Sequence, residues 1–305
     1  MHLNLYKLAA ASPLLLSLGL MVPSAETAKA EQSICRTISD VGGFLLNAEK
    51  RKGIKNVTQK YSNGVYVGSV ANGRRCGNGT YYFNNGTIKV GGWDGSLFKG
   101  TTGFSDGTIY HGEFEQNGNL TEGTIVYRSG AVYRGAFAQG KWAGKKGKYL
   151  SKSGVIYYGA FSGGDFNGHG LQCGAKNEYI YIGNFTNDEP HGEGGVKFAG
   201  GTAFEGVWNK GNPVFGVGNY KGKDSVFVGR GSVARGQPFK SWCRSNGYRS
   251  VKACIKVVSR KAALDKLGYP HYPGGFSECN EHRIDLQLRR KSLLEYVARE
   301  KAKRP

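Results

Sequence analysis

A short pattern that returns about every 23 residues constrains the fold of this chain more than any other feature. The stretch "SDGTIYHGEF" at 105–114 has close relatives that end at Trp93, Phe137 and Phe161. Each copy carries a glycine two residues before its closing residue, and successive glycines are 23, 21, 23, 24, 24, 23 and 23 residues apart. These repeat glycines are Gly68, Gly91, Gly112, Gly135, Gly159, Gly183, Gly206 and Gly229. Self-similarity at this period predicts a repeat architecture.

Each copy has the local sequence of a β-hairpin. Alternation places Tyr110, Gly112 and Phe114 on one face of a strand, and the glycine leaves room for aromatic rings to lie over the backbone. The chain has 49 glycines in 305 residues without a Gly-X-Y period, which excludes collagen and favours short strands with tight turns. Turn pairs suited to tight hairpins open the copies, namely Asn85-Gly86, Asp106-Gly107, Ser129-Gly130 and Ser153-Gly154.

Longer segments show a recognisable motif. "YIGNFTNDEPHGEG" (181–194) and "YYGAFSGGDFNGHG" (157–170) resemble the MORN repeat (membrane occupation and recognition nexus), and "YVGSVANGRRCGNG" (66–79) differs by having Cys76 where a histidine is usual. The resemblance covers roughly 61–231. Lys89 and Val90 depart from the expected Tyr-x pair, and Gly231 replaces the last closing aromatic, so the outer units are expected to be degenerate caps.

This resemblance implies a mainly β fold. The expected architecture is an elongated, single, twisted antiparallel sheet of about eight stacked MORN-type hairpins, with a small α-helical C-terminal region. Sixteen strands would span roughly 75 Å. Such a sheet is a platform without a deep pocket, and most of its aromatic residues are expected to be structural.

The chain divides into four predicted regions: a signal peptide at 1–30, an N-terminal cap or linker at 31–60, the repeat array at 61–235 and a basic helical region at 236–305. Lys7, the apolar run 8–22 and the Ala-Lys-Ala sequence at 28–30 form the pattern of a secretory signal. The run is shorter than the ~20 residues that a membrane span needs. We therefore expect cleavage after Ala30 and a secreted or periplasmic protein, of bacterial or eukaryotic source.

Two helices are predicted in the C-terminal region, at 250–267 and at about 283–303. The second carries Leu286, Leu293, Leu294 and Val297 on one side and basic residues around the rest. It could lie on an anionic surface or dock on the exposed aromatic face of the sheet. Docking is favoured because an open sheet leaves one face uncovered.

Six cysteines are present, an even number that suggests disulfides in an exported protein. Three precede the C-terminal region and three lie in it, so the alternatives are a bridge between the regions or free thiols. The weak preference is for Cys35–Cys76 and one bridge among Cys243, Cys254 and Cys279, with the state of Cys173 open.

Basic charge points to an anionic partner. Residues 236–305 hold 16 basic and 6 acidic residues, so half of the net charge of +20 lies in less than a quarter of the chain. A second group of cations lies between Glu122 and Asp165, with Trp142 and Tyr149 nearby. The alternative interpretation is that these lysines are scattered and solvated. The predicted anion- or lipid-binding residues are Arg128, Arg134, Lys141, Lys145, Lys146, Lys148, Lys152, Arg289, Arg290 and Lys291.

Catalysis is not predicted. His169 and His191 recur with the repeat, so neither a metal site nor a cofactor is expected. The one enzyme hypothesis is an envelope hydrolase that uses His271, Glu278, Glu281 and His282, but a disulfide-pinned, solvated loop is favoured for this stretch.

The predicted function is therefore a non-catalytic, exported scaffold that binds an anionic surface, either lipid headgroups or an envelope polymer. The alternative is a protein–protein scaffold whose charge only aids solubility. Nucleic-acid binding has support from the charge but lacks a recognition motif. The open edges of a sheet make a homodimer plausible.

Overall fold

A computed structural model describes Cys35 and residues 53–220, 223–228, 237–238 and 276–305, with side chains for Cys35, 53–213 and 276–305. The predicted helix at 250–267 and the disulfide candidates Cys243 and Cys254 lie outside the described residues. So do His271 and the predicted signal segment.

Strands account for most of the described residues. They are β1 (Ile54–Tyr61), β2 (Gly64–Ala71), β3 (Arg74–Phe83), β4 (Ile88–Asp94), β5 (Ser96–Gly103), β6 (Ile109–Phe114), β7 (Leu120–Val126), β8 (Val132–Ala138), β9 (Lys141–Leu150), β10 (Ile156–Ser162), β11 (Asp165–Cys173), β12 (Tyr179–Thr186), β13 (Glu189–Phe198), β14 (Ala203–Asn209), β15 (Asn212–Tyr220), β16 (Lys223–Val228) and β17 (Gln237–Pro238). One helix, α1 (Phe276–Ala302), follows them in the described part of the chain.

Every strand pairs antiparallel with the next strand in sequence, so the sheet is one open meander of 17 strands in the described residues. The predicted stacked hairpins are confirmed. The count differs from sixteen because residues 54–61, placed in a cap or linker by the sequence, form β1 against β2. The turns that join β3–β4, β5–β6, β7–β8, β9–β10 and β11–β12 share one edge, here called the helix-side edge.

The repeat glycines face one another across the strands. Gly68 pairs with Gly79, which pairs with Gly91, and this row of glycines continues across the sheet to Gly216. Just past the row the register shifts within each hairpin from β2–β3 to β14–β15. The extra residues fall on the second strand of the hairpin, which marks a β-bulge in β3, β5, β7, β9, β11, β13 and β15. The period of the sequence is thus the period of a bulged hairpin.

The repeat tyrosine lies over this glycine row. The hydroxyl of Tyr157 donates a hydrogen bond to the Ala160 carbonyl at 2.9 Å, which holds its ring across the backbone of the next strand. A Cβ at Gly170 would be 2.5 Å from Cζ of Tyr157, closer than any carbon contact allows. The same hydroxyl bond, to the carbonyl three residues further along the chain, recurs at Tyr66, Tyr133 and Tyr181.

The two faces of the sheet have different compositions. One is an aromatic face, on which Tyr133, Tyr157, Phe161, Phe166, Tyr181 and Phe185 pack on one another. The other is an aliphatic face of Ile88, Val90, Ile109, Val132, Leu150, Ile156 and Leu171. Strand alternation produces this separation, because neighbouring residues such as Ile156 and Tyr157 point to opposite faces.

Helix α1 covers the aliphatic face. Leu286 and Val297 are buried against it and Leu293 is packed beside them. At ~1.5 Å per residue the 27-residue helix is about 40 Å long, enough to cross about eight strands spaced ~4.8 Å apart. The expected docking of the helix on the sheet is therefore found, but the expected face is wrong. Aliphatic side chains on α1 pack on the uncovered aliphatic surface, since the aromatic rings already cover one another.

Helix α1 also begins about two turns earlier than the sequence predicted. Residues 276–283 are helical, and not the solvated loop that was expected. Cys279 lies seven residues before Leu286, so both point to the sheet, and both are fully buried.

Two disulfides join the described cysteines. Cys35 bonds Cys76, the pairing that the sequence favoured. Cys173 of β11 bonds Cys279 of α1. Cys279 is therefore not bridged within the C-terminal region, and the alternative of a bond between the two regions is the correct one. This bond ties the start of α1 to the sheet across 106 residues of sequence.

Candidate functional site

Three of the predicted anion-binding cations are held by one carboxylate. Asp285 of α1 accepts a hydrogen bond from Nζ of Lys148 at 3.0 Å and lies 3.6 Å from Nη1 of Arg134 and 3.3 Å from Nε of Arg289. Partial burial raises the pKa of Asp285, but the hydrogen bond from Lys148 and the charges of the three cations outweigh it, so that the pKa is lowered. Arg134 and Lys148 therefore fasten the helix to β8 and β9, while Arg289 pairs with Asp285 within α1.

Other cations of α1 bond the turns of the helix-side edge. Arg283 donates to the carbonyl of Gly174 at 3.0 Å and to Oδ1 of Asn177 at 3.0 Å. At the far end, Lys301 donates to the carbonyl of Phe104 at 3.4 Å. Turn carbonyls unused by the strand ladder are good acceptors, so these bonds fix where the helix lies along the edge.

The remaining seven predicted cations are exposed. They are Arg128, Lys141, Lys145, Lys146, Lys152, Arg290 and Lys291. Arg128 and Lys152 lie in turns of the helix-side edge, and the guanidinium of Arg290 lies beside Gly130 of the same edge. Lys141 begins β9 at the opposite edge. The structure thus divides the expected single patch between two edges, and the cations beside α1 form the denser group.

The outward side of α1 is apolar at its centre. Ile284 and Leu288 are 54% and 62% exposed, and Leu294 is 41% exposed. Arg290, Lys291 and Arg299 are exposed on the same helix. This combination, an apolar strip with flanking cations and the turn cations Arg128 and Lys152, is called the helix-side surface below. No helix within the described residues is long and apolar enough to cross a membrane.

Trp142 and Tyr149 do not accompany the basic residues. The indole of Trp142 stacks on Tyr133 with ring centroids 4.8 Å apart, and its Nε1 donates to the hydroxyl of Tyr127 at 2.8 Å. Tyr149 packs against the same indole. Both rings belong to the aromatic face and stabilise it, which removes the reason to assign them to a headgroup site.

Of the four residues in the hydrolase hypothesis, the three that the structure describes lie along one helix and not on the opposing walls of a cleft. Glu278 and His282 lie one turn apart on α1 with Oε1 and Nε2 separated by 3.6 Å, and the imidazole packs on the ring of Tyr158. Glu281 is exposed on the same helix. Burial lowers the pKa of His282 and raises that of Glu278. No cluster of three metal-ligating side chains occurs among residues whose positions are described.

Sequence reasoning missed one cationic site on the aromatic face. The guanidinium carbon of Arg75 lies 4.7 Å from the ring centre of Trp93 and 5.3 Å from that of Tyr81. Lys89 of the neighbouring strand β4 is on the same face, opposite Tyr81. The departure from the repeat at Lys89 was visible in the sequence, but its proximity to Arg75 required the fold.

The fold and the repeat chemistry together define the class, a repeat scaffold built of bulged hairpins. The family model of the MORN repeat matches at residues 66–88 and 181–203. The chain is therefore a protein with MORN repeats. None of the curated proteins matches its sequence.

Solved structures show only a distant likeness. One is the TCP domain of SAS-4 (dCPAP) of Drosophila melanogaster in complex with a proline-rich motif of Ana2 (dSTIL), with a TM-score of 0.34 and 11% identity over 58% of this chain and 90% of that chain. Another is the wild-type TCP10 domain of Danio rerio CPAP, with a TM-score of 0.32 and 11% identity over 60% and 94%. Scores this low carry no argument about function.

Proposed function

We propose that this protein is a non-catalytic, exported scaffold that binds an anionic membrane surface through the helix-side surface. The observation that carries the proposal is the exposure of Ile284 and Leu288 beside the exposed cations Arg290 and Lys291. Apolar side chains enter the boundary between headgroups and acyl chains, while lysine and arginine attract anionic lipids. A soluble envelope polymer would gain little from the apolar strip, so the lipid surface is the better partner.

The division of the cations supports this orientation. Arg134, Lys148 and Arg289 are paired with Asp285, and the first two hold α1 on the sheet. Arg128, Lys152, Arg290 and Lys291 are exposed on one side of the molecule. Each exposed cation near an anionic membrane contributes about 1 kcal/mol. Export rests on the apolar run 8–22 and the Ala-Lys-Ala site at 28–30.

Co-sedimentation with vesicles tests the proposal. The full chain is expected to bind phosphatidylglycerol vesicles at low salt, to bind more weakly at high salt, and not to bind phosphatidylcholine vesicles. The double variant Arg290→Glu, Lys291→Glu should lose about 1,000-fold in affinity, since two attractions of about 1 kcal/mol each are replaced by repulsions of similar size. Ile284→Ser, Leu288→Ser should weaken binding at both salt concentrations.

The matched control is Lys141→Glu, Lys145→Glu, which makes the same change of net charge away from the helix-side surface. It should retain most of the binding. Equal losses in the two charge-reversed variants would show that net charge alone acts, and would reject the helix-side surface. Binding that survives salt but is lost in the Ile284, Leu288 variant would favour a protein partner.

A further inference from the structure

The first two repeats depart from the pattern of the others at two positions on the aromatic face. The first position lies two residues before the repeat glycine and points its ring over the glycine row. It is occupied by Tyr66, Lys89, Tyr110, Tyr133, Tyr157, Tyr181 and Phe204 in successive repeats. Lys89 is the one non-aromatic residue in this series. Because Ile88 and Val90 are part of the aliphatic core, Lys89 points to the opposite, aromatic face.

The second position is on the second strand of each hairpin. It is separated from the glycine row by the bulge and pairs with the closing residue of the repeat. Its occupants are Arg75, Leu97, Leu120, Trp142, Phe166, Pro190 and Pro213. In the fifth repeat this residue is Phe166, which stacks on Tyr157 with ring centroids 3.8 Å apart. An apolar side chain over the tyrosine ring is therefore the usual arrangement, and Arg75 is the one charged residue at this position among the repeats compared.

The two exceptions lie next to each other. The guanidinium carbon of Arg75 is within 6.0 Å of the ring centres of Tyr66, Tyr81 and Trp93, and Lys89 is opposite Tyr81 on the neighbouring strand. Burial lowers the pKa of Lys89 and the charge of Arg75 lowers it further. In the part of the chain that the structure describes, neither cation pairs with a carboxylate.

Two adjacent, partly desolvated cations without a counter-charge among the described residues repel each other, and that repulsion is relieved when an anion binds between them. A phosphate monoester carries a charge close to −2 at neutral pH. Arginine offers it two parallel N–H donors and lysine offers a point charge. The ring of Tyr61, which is 39% exposed and stacks on Tyr81 with ring centroids 5.6 Å apart, provides an accessible apolar surface beside the charges.

We propose that Arg75 and Lys89 form a binding site for a phosphate monoester on the aromatic face of the first two repeats. The ester oxygens contact the two cations, and the organic part of the ligand lies along the neighbouring rings. This site is on the opposite face of the sheet from the helix-side surface, so it does not depend on the function proposed above.

The residues that other repeats carry at these two positions are suitable substitutions for testing the site. Lys89→Tyr restores the residue that five other repeats carry at the first position, and Arg75→Leu restores the residue of two other repeats at the second. Both changes remove a charge while keeping a side chain that the fold accepts, so both variants are expected to unfold at or above the temperature of the parent protein. Loss of binding then cannot be ascribed to loss of structure.

Calorimetric titration of the full chain with phenyl phosphate is the test, with phenol as the uncharged probe and inorganic phosphate as the probe without a ring. Phenyl phosphate is expected to bind saturably and more tightly than inorganic phosphate, while phenol should show no saturable binding. Each variant should bind phenyl phosphate about tenfold more weakly or worse, because each removes a charge-assisted hydrogen bond. The Arg290→Glu, Lys291→Glu variant should bind as the parent protein does.

Vesicles containing phosphatidic acid distinguish a lipid headgroup from a soluble ester. If the parent protein binds phenyl phosphate and Lys89→Tyr abolishes this binding, the ligand is a soluble phosphate ester. Tighter binding of phosphatidic acid vesicles than of phosphatidylglycerol vesicles, with the difference abolished by Lys89→Tyr, assigns a headgroup, because both kinds of vesicle also attract the helix-side surface. The proposal is overturned if the parent protein and both variants bind the probes equally, or if the parent binds neither probe.

Discussion

The two faces of this sheet bury their apolar residues in different ways. On the aromatic face, rings from consecutive hairpins cover one another and the glycine row, as Phe161 does with Tyr133 of the preceding hairpin. On the aliphatic face, branched side chains such as Ile156 pack on their neighbours in the sheet, and Leu286 and Val297 of α1 cover them. A face of large, flat rings can therefore be completed by the repeat alone, whereas a face of short side chains requires another element.

The largest effect is expected at the interface that depends on a separate element. Leu286→Ala removes a fully buried side chain from beneath α1 and should lower the free energy of unfolding by about 3 kcal/mol. Leu288→Ala, on the same helix but 62% exposed, is the matched control and should change it by less than about 0.5 kcal/mol. Urea denaturation measures both, and equal effects would show that the helix is not docked as described.

The aromatic face is tested by closing the space above the glycine row. Gly170→Ala places a methyl group against the ring of Tyr157, which should cost about 2 kcal/mol through displacement of the ring. At Gly200 a Cβ meets nothing within 4 Å, so Gly200→Ala should be close to neutral. Thermal unfolding compares the two, and a neutral Gly170→Ala would mean that the tyrosine does not rest on this strand.

The polar contacts of the helix are weaker and respond to salt. Asp285→Asn leaves Arg134, Lys148 and Arg289 without their shared carboxylate. Since these groups are partly exposed, the expected loss is about 1 kcal/mol, smaller at high salt because the repulsion among the cations is screened. Glu281→Gln makes the same change of charge at an exposed position of α1 and should have little effect. A loss that does not depend on salt would contradict the electrostatic explanation.

The smallest expected effect is a dependence of the free energy of unfolding on pH, caused by a histidine of β11. Burial lowers the pKa of His169 to about 4, below its ordinary value near 6.5. The unfolded protein therefore binds more protons between these two pH values, so that stability is complete above about pH 6.5 and declines as the pH falls towards 4. The imidazole is only half-buried, so solvent screening should hold the total decline due to this group below about 1 kcal/mol. His169→Gln should flatten the curve of unfolding free energy against pH over this range, and an unchanged curve would rule out His169 as its source.

Local chemistry explains how much of the fold could be predicted. The Asn-Gly and Asp-Gly turns, the alternation along each strand and the glycine period all act within one hairpin, so the stacked meander followed from the sequence. The Cys35–Cys76 disulfide was also predicted from the sequence. The position of α1 was only half predicted, because its apolar stripe at Leu286 and Val297 shows that the helix packs on something but not on which face.

The candidate sites were harder to predict than the fold, because they depend on which distant segments of the chain lie close together. Seven of the ten predicted cations are exposed, but Arg134, Lys148 and Arg289 meet at Asp285, which comes 137 residues after Lys148 in the chain. Arg75 was passed over because an arginine near a turn has nothing unusual in its local sequence. Its role in the candidate site depends on the three rings that its guanidinium contacts and on Lys89 of the neighbouring strand.

The sequence by itself determined the unit of this protein, a bulged hairpin with a tyrosine over a glycine, because every contact within it joins residues close together in the chain. Tertiary structure alone decided which face α1 covers, that Cys173 bonds Cys279, and which cations are paired and which are exposed. The physical reason is that these outcomes depend on packing and charge between segments more than 100 residues apart, and no local pattern records such distances.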